Sequence, residues 1–307
     1  MNDSGRVLVT GAAGFLGRRV VRRLVESGWP VVLFDRTEPS ELEPQARFVR
    51  GEITDREALT AAAEGCTCVV HCAGEKRDAS HMRAVNVKGT RAACKAVTKA
   101  KAKVLCHLSS AGVAGRVRST WVREETQGPP MNAYEATKRE AEDVVRSAEE
   151  IAHRVILRPT NLFGPDTVRA ALRAESLLRM KWWLKGRECA HWVYVEDVAA
   201  AAAHFALHPP ATPCETYVVS SDEEPGNTHA EILAQLRALD GRARSTVAWS
   251  PPLIVPWLFR FVRRGRTNRG DVRYSAQRLH QAGFRLPYGL RQGLRHAFEQ
   301  LQEARTA

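Results

Sequence analysis

Apolar residues in the first half of the chain come in short β-rich runs, separated by longer stretches in which they recur every three or four positions. The runs are Arg6-Val-Leu-Val-Thr10, Pro30-Val-Val-Leu-Phe34, Arg47-Phe-Val-Arg50, Thr67-Cys-Val-Val-His-Cys72, Lys103-Val-Leu-Cys-His-Leu108 and His153-Arg-Val-Ile-Leu-Arg158. Helical spacing governs Arg18-Arg-Val-Val-Arg-Arg-Leu-Val25, a stretch leading into Ala63, the pattern from about His81 to Ala100, and the segment around Asn132-Ala-Tyr-Glu-Ala-Thr-Lys138. Repeated strand–helix units with right-handed crossovers predict an α/β fold built on a doubly wound parallel sheet of the Rossmann type.

After Gly164-Pro165 the pattern changes. A basic helical stretch spans residues 169–184 and carries Trp182 and Trp183, and His191-Trp-Val-Tyr-Val195 reads as a strand. Glu196-Asp197 opens an alanine-rich helix, Glu215-Thr-Tyr-Val-Val219 is a further strand, and helical patterns follow near 228–239, 253–262, 275–282 and 290–301. The expected organisation is a dinucleotide-binding domain over residues 1–165 and a smaller, mostly helical C-terminal substrate lobe over 166–307, with 191–207 returning to the first sheet. No internal repeat or low-complexity linker interrupts the chain.

The first predicted chemistry lies at the first strand–helix turn, Gly11-Ala-Ala-Gly14-Phe-Leu-Gly17. Three glycines there serve a tight turn, close approach of backbone to a pyrophosphate, and helix–strand packing. The anion would lie against the helix N-terminus. Asp35 closes the second strand eighteen residues after Gly17, placed to accept hydrogen bonds from an adenosine ribose. A carboxylate at that position repels a 2′-phosphate and favours NAD. Arg36 directly follows and can turn towards such a phosphate, so NADP stays open.

Composition narrows the partners. Apolar residues are 44% and charged residues 26% of 307, as in ordinary globular proteins. The polar N-terminus is not expected to be a signal peptide, and no apolar run approaches the length of a membrane span. Seven cysteines, several inside apolar runs, suggest buried thiols in a reducing cytoplasm. Cys66, Cys68 and Cys72 lack a second ligand cluster, so no metal site is expected. Lysine and arginine exceed acids by 12, with six arginines between Arg260 and Arg273, yet no nucleic-acid-binding signature accompanies them. The apolar stretch from Leu253 to Val262, followed by Arg263-Arg264, is compatible with an anionic membrane surface or with packing inside a lobe or dimer.

Tyr134 and Lys138 are four residues apart and share a helix face. A phenol is ordinarily too weak an acid to serve as a base at neutral pH, and a neighbouring ammonium favours the phenolate. Ser109-Ser110 ends the fifth strand, where a hydroxyl can donate to a substrate oxygen while the tyrosine takes or gives its proton.

Together these motifs resemble the extended short-chain dehydrogenase/reductase family, also called the NAD-dependent epimerase/dehydratase family. The resemblance rests on the glycine turn, Asp35, Gly51-Glu-Ile-Thr-Asp55, His71-Cys-Ala-Gly74, Asn86-Val-Lys-Gly-Thr90, Ser109–Gly115 and Tyr134-x3-Lys138. It continues through Arg158-Pro-Thr-Asn-Leu-Phe-Gly-Pro165, Val193-Tyr-Val-Glu-Asp-Val198 and Gly270-Asp-Val272, so it covers nearly the whole chain. It implies a catalytic set of Tyr134, Lys138, Ser110 and Asn86, with the serine chosen by counting five residues back from Gly115. Cofactor contacts implied by the resemblance are Gly11, Ala13, Gly14, Phe15, Leu16, Gly17, Asp35, Arg36, Glu52, Ile53, Cys72, Ala73, Gly74, Ser109, Tyr134, Lys138, Pro159 and Thr160. On the substrate side it implies Ser110, Ala111, Tyr134, Asn161 and Arg269.

Three departures bear on substrate. Family members that dehydrate sugars carry an Asp-Glu pair after the catalytic hydroxyl, where this chain has Ala111 and Gly112; Glu124 or Glu125 would have to substitute. The family's usual tyrosine before Gly115 is Ala114. The arginine that grips a substrate diphosphate is replaced by Asn268, with Arg269 one position late. The expectation is an NAD-dependent epimerase or ketoreductase of a nucleotide sugar, acting as a cytoplasmic homodimer. The alternatives are a reductase or dehydrogenase of an apolar steroid-, flavonoid- or polyketide-like carbonyl, and a non-catalytic NAD-binding protein.

Overall fold

A computed structural model describes residues 5–39, 42–173, 182–241, 250–264 and 267–306. In chain order the elements are β1 (Arg6–Thr10), α1 (Gly17–Glu26), β2 (Val31–Asp35), β3 (Ala46–Arg50), α2 (Arg56–Ala63), β4 (Cys66–His71), α3 (Ala79–Arg83), α4 (Gly89–Lys99) and β5 (Val104–Leu108). They continue with β6 (Trp121–Val122), α5 (Ala133–Arg146), β7 (His153–Pro159), β8 (Asn161–Phe163), α6 (Pro165–Leu172), β9 (Trp192–Tyr194), α7 (Val195–Leu207) and β10 (Cys214–Val219). The last are α8 (His229–Leu239), α9 (Ile254–Arg264), β11 (Arg273–Tyr274), α10 (Gln277–Gln281) and α11 (Gly289–Thr306).

Seven strands form one sheet in the order β10-β7-β5-β4-β1-β2-β3. The pairs β2–β3, β1–β2, β1–β4, β4–β5 and β5–β7 are parallel, so this is the expected doubly wound α/β sheet. Chain direction across the sheet reverses between β1 and β4, and in such folds ligands gather at the carboxyl ends of the strands beside that reversal. Helices cover both faces of a parallel sheet, and the strands are accordingly apolar along their length rather than alternating. Val7, Leu8, Val9, Val69, Val70, Leu105, Val155, Ile156 and Leu157 are all fully buried. Each such leucine or isoleucine contributes about 1.5–3 kcal/mol relative to an exposed one.

Local sequence fixes the helix starts. Asp55 caps α2 by accepting from the Glu57 and Ala58 amides at 3.1 and 3.0 Å. Asn132 does the same for α5 through the Glu135 amide at 2.9 Å, and Thr228 with Glu231 forms a capping box at the head of α8. Leu16 opens α1 with no side-chain cap.

The chain divides into two compact units, each assembled from three pieces. The first comprises Met1–Val113, Asn132–Arg158 and Val198–Tyr217; the second comprises Ala114–Met131, Pro159–Asp197 and Val218–Ala307. Two parallel two-stranded ribbons, β6 with β11 and β8 with β9, belong to the second unit; of these four strands the hydrophobic pattern shows only β9, within the expected strand 191–195, and β9 pairs with β8 rather than with the main sheet. The predicted helix over 169–184 is observed to Leu172, and residues 174–181 lie outside the described residues. The long helical pattern from His81 to Ala100 is not one α-helix. A π-helical turn, Ala84–Lys88, separates α3 from α4.

Candidate functional site

The glycine turn begins with a backbone requirement. Gly11 has φ +66°, and a Cβ on it would fall 2.7 Å from the Ala73 amide nitrogen. Gly17 is equally constrained, since its Cβ would meet the Gly11 carbonyl oxygen at 2.0 Å. The absence of both side chains lets β1, the turn and the end of β4 approach one another, and leaves room above the turn.

That room is a cleft of about 420 Å³ in the first unit. Ten of the cofactor residues expected from the sequence line it: Gly11, Ala13, Gly14, Asp35, Arg36, Glu52, Ile53, Cys72, Ala73 and Gly74. Phe34, Thr37, Gly51, Glu75 and Val85 line it as well, and sequence reasoning missed them. Thr37 and Glu75 directly follow named strand-end motifs, so position alone could have flagged them. Asp35 ends β2 with both carboxylate oxygens engaged, Oδ2 by the Ala13 amide at 3.0 Å and Oδ1 by the Thr37 amide at 3.2 Å. The carboxylate thus stiffens the glycine turn as well as facing the cleft. Phe15 and Leu16 do not line it; the Phe15 ring lies under the Arg19 guanidinium at 4.4 Å. A turn whose glycines leave its backbone open to close approach, a helix end without a side-chain cap and a carboxylate at the end of β2 fit a dinucleotide.

The second half of the site in this unit is built by β5, α5 and the π turn. Ser110, just beyond β5, stands close enough to the phenol of Tyr134, in the first turn of α5, to lower its proton affinity. The Gly112 amide donates to Ser110 Oγ at 3.2 Å and holds the hydroxyl in place. Lys138, one turn along from Tyr134, is buried, and its ammonium donates to the Leu108 carbonyl at 2.7 Å. A Cβ on Gly74 would lie 3.3 Å from Lys138 Nζ, so the glycine leaves the ammonium open on that side. Asn86 sits in the π turn. Its Oδ1 accepts from the Glu75 amide at 2.8 Å, and its Nδ2 donates to the Glu75 carbonyl and to Thr137 Oγ1 at 2.9 and 3.0 Å. The wider turn aims Asn86 at both the Gly74-Glu75 loop and α5, which an unbroken α-helix would not do.

Burial and charge set the proton affinities. Burial pushes the Tyr134 phenol above its usual value, and the nearby Ser110 hydroxyl opposes this. Lys138, expected from the sequence to lower the phenol, is not among the groups that shift it here, and its ammonium is turned to the Leu108 carbonyl. Burial brings Lys138 down to about 8, against the pull of Cys72 and Glu142. Glu142, a further turn along α5, has no solvent exposure. Burial alone would raise its carboxyl, but Arg158 outweighs it with two hydrogen bonds at 2.9 and 2.7 Å, aided by Ser109 and Arg146. Ser109 Oγ donates to Glu142 at 2.5 Å. The expected cofactor residue Ser109 is thus directed to a buried carboxylate and does not line the cleft.

Pro159, Thr160, Asn161 and Arg269 fall in the second unit. Thr160 donates its amide to the Val219 carbonyl at 3.1 Å, and its hydroxyl is buried with no hydrogen-bond partner among the described residues. Asn161 donates through Nδ2 to the Ala190 carbonyl at 2.9 Å. Arg269 pairs with Asp271 at 2.9 Å. Asn268, which occupies the family's arginine position, bonds the Val117 amide and the Gly115 carbonyl at 2.9 and 3.0 Å. Glu124 accepts from the Val218 amide at 2.8 Å, and Glu125 pairs with Arg278.

Cys66, Cys68 and Cys72 form no metal-capable group with one another among the described residues. The trio that does bring such atoms within 4.8 Å is Cys189, His191 and Asp222. There His191 Nδ1 already lies 2.5 Å from Asp222 Oδ2, and that carboxylate also accepts from the Tyr274 amide and Asn227. Burial works against a charge on His191, yet hydrogen bonds to Asp222 and Cys189 raise it to about 10. The trio is a hydrogen-bonded ion pair beside a thiol.

Several known proteins are similar to this chain. The chain is 33% identical over 236 residues to a ceramide reductase of Caulobacter vibrioides, covering 75% of this chain and 68% of that one. It is 32% identical over 257 residues to a 2-alkyl-3-oxoalkanoate reductase of Shewanella oneidensis, covering 76% and 65%. The chain therefore spans about two thirds of the length of these relatives. The structure of MoeE5 in complex with UDP-glucuronic acid and NAD superposes with a TM-score of 0.75 at 23% identity, over 98% of this chain and 100% of that one. Residues 7–220 match the family model described as NAD dependent epimerase/dehydratase, and this chain, an NAD-dependent enzyme of the extended short-chain type, belongs to that family.

Proposed function

We propose that the chain interconverts a secondary alcohol and a ketone on an apolar, acyl- or terpenoid-like small molecule, with Tyr134 as the acid/base. The nearness of the Ser110 hydroxyl, at the end of β5, to the Tyr134 phenol, one helical turn before the buried Lys138, carries this reading. The Gly11–Gly17 turn, Asp35 and the Ala73-Gly74 strand end would hold NAD, which would supply the hydride acceptor or donor. Ser110 donates to the substrate oxygen and orients it. In the oxidative direction Tyr134 takes the hydroxyl proton; in the reductive direction it returns that proton to the ketone oxygen. Lys138 offers an ammonium with a proton affinity near the working range, which favours the tyrosinate once it is drawn from the Leu108 carbonyl. Asn86 positions α5 through Thr137.

Sugar dehydration is disfavoured on this reading. Ala111 and Gly112 stand where the acid and base would be, and Glu124 and Glu125 are engaged elsewhere. Support for an apolar substrate comes from the two reductases named above and from the second unit, where Asn268 is bound to backbone and Arg269 to Asp271. Nucleotide-sugar epimerisation is the second reading, favoured by the fold shared with MoeE5. Steady-state assays with NAD(H) and NADP(H) separate the two. Net cofactor turnover with a long-chain 3-oxo acid or 3-oxosphinganine-like ketone, and no interconversion of UDP-sugars, is the expected outcome. Interconversion of a UDP-sugar without net cofactor turnover would overturn it. The reading also includes a cytoplasmic homodimer, checked by sedimentation velocity and cell fractionation.

A further inference from the structure

Helix α9 carries an apolar face that its own unit leaves bare. Ile254, Val255, Leu258, Phe261 and Val262 expose 59%, 44%, 51%, 37% and 79% of their surface. Their spacing, i, i+1, i+4, i+7 and i+8, is a single stripe along an α-helix. Pro256 is buried and Trp257 half-buried, with its ring stacked on Phe261 at 5.2 Å, so the helix is anchored along another side. Large apolar side chains exposed singly are normal on a protein surface, whereas a contiguous group marks an interaction site. Elsewhere among the described residues such side chains are scattered, as at Leu42, Trp121 and Trp183.

Charge along the same segment selects the partner. Between Asp240 and Asp271 the sequence has no acidic residue and no lysine, but seven arginines: Arg242, Arg244, Arg260, Arg263, Arg264, Arg266 and Arg269, the last of them paired with Asp271. These account for 7 of the chain's net charge of +12. A second copy docking through the same face would set two such cationic segments against each other. A nucleic acid would take the charge but offers no apolar medium for isoleucine, leucine and valine. A bilayer containing anionic lipids supplies headgroup charge for the arginines and an acyl boundary for the stripe.

We infer that α9 docks the protein on the surface of an anionic membrane, lying in the interface plane with Ile254, Leu258, Phe261 and Val262 entering the acyl boundary. It lies on the bilayer and does not span it. Its 11 residues cover about 16 Å at 1.5 Å per residue, against a hydrocarbon core of about 30 Å. No helix among the described residues is long and apolar enough to cross a membrane. The inference concerns the outer surface of the second unit and is independent of the reaction proposed above. With an apolar substrate, docking would bring the enzyme to the phase in which that substrate is dissolved.

Co-sedimentation of the full chain with vesicles tests it. Binding is expected to vesicles of phosphatidylcholine with phosphatidylglycerol, to weaken as salt is raised, and to be slight with phosphatidylcholine alone. The double variant Leu258→Glu, Val262→Glu should bind at least about tenfold more weakly, because two apolar side chains no longer enter the bilayer. Both positions are exposed, so its melting temperature should match the parent's. Absence of binding to either vesicle, equal binding to both, or undiminished binding by a folded double variant would overturn the inference. A lipid-free dimer that dissociates in the double variant would assign the stripe to a second copy and overturn it too.

Discussion

Tyr134 and Lys138 were legible as a pair from their spacing, but the groups that govern them were not. Tyr134→Phe should retain NAD-induced thermal stabilisation and lose about 10²–10⁴-fold in kcat, the span of a positioned acid/base; near-parental turnover would remove Tyr134 from that role. Glu142 gave no functional signal in the sequence, being one acid in a charged helix. In the fold its buried carboxylate meets Arg158, Arg146 and Ser109, and raises the proton affinity of Lys138. Glu142→Gln leaves Arg158 without its counter-charge, which should cost about 3–5 kcal/mol in denaturant unfolding. Wherever the variant stays folded, the alkaline limb of its kcat profile should move to lower pH, because Lys138 then loses its proton earlier. An unmoved limb would reduce Glu142 to a purely structural residue.

Elements were read well where one run of sequence decides them. The six strands of the first half, the helix with Tyr134 and the glycine turn all appear where the hydrophobic spacing put them. The π turn at Ala84–Lys88 escaped notice because adding one residue to a helical turn barely disturbs an apolar period of three to four. Strands β6, β8 and β11 leave no hydrophobic signal for a different reason: each has two or three residues, and its partner lies far along the chain; β9 is legible as a strand, but its pairing with β8 is not. Gly11 shows how strictly an element can depend on one residue. Gly11→Ala requires a Cβ 2.7 Å from the Ala73 amide nitrogen at φ +66°, so unfolding free energy should fall by about 1–3 kcal/mol. Titration should show weakened NAD affinity as well; parental affinity would mean the turn yields more readily than its geometry suggests.

At the scale of the molecule, two histidines in the middle of the main sheet set an acid limit. His71 and His107 are register partners on β4 and β5, stacked at 5.3 Å and fully buried. Burial first, then Lys138, lowers His71 to about 3, and burial holds His107 well below its ordinary range. His71 still shares hydrogen bonds with Thr10 and Thr90, while neither ring nitrogen of His107 has a partner among the described residues. Both pKa values are depressed in the fold, so the unfolded chain binds more protons below about pH 6.5 and stability falls as pH drops from there. Each imidazole contributes about 1.4 kcal/mol per pH unit, and chemical denaturation between pH 7.5 and 5 should show the slope. His107→Leu should flatten it; an unchanged slope would place the acid sensitivity elsewhere.

The sequence by itself determined the parallel sheet, the glycine turn and the placing of Tyr134 and Lys138 on one helix face. Each is written in contiguous spacing: short β-branched runs, glycines three apart, and a tyrosine one helical turn before a lysine. Tertiary structure decided what required distant pieces of chain to meet. Folding turned Ser109 away from the cleft to the Glu142 carboxylate, and engaged Asn268 and Arg269 with neighbours in their own unit. It also left the stripe on α9 facing outward. Hydrophobic spacing says which face of a helix is apolar, but only packing decides whether that face is covered.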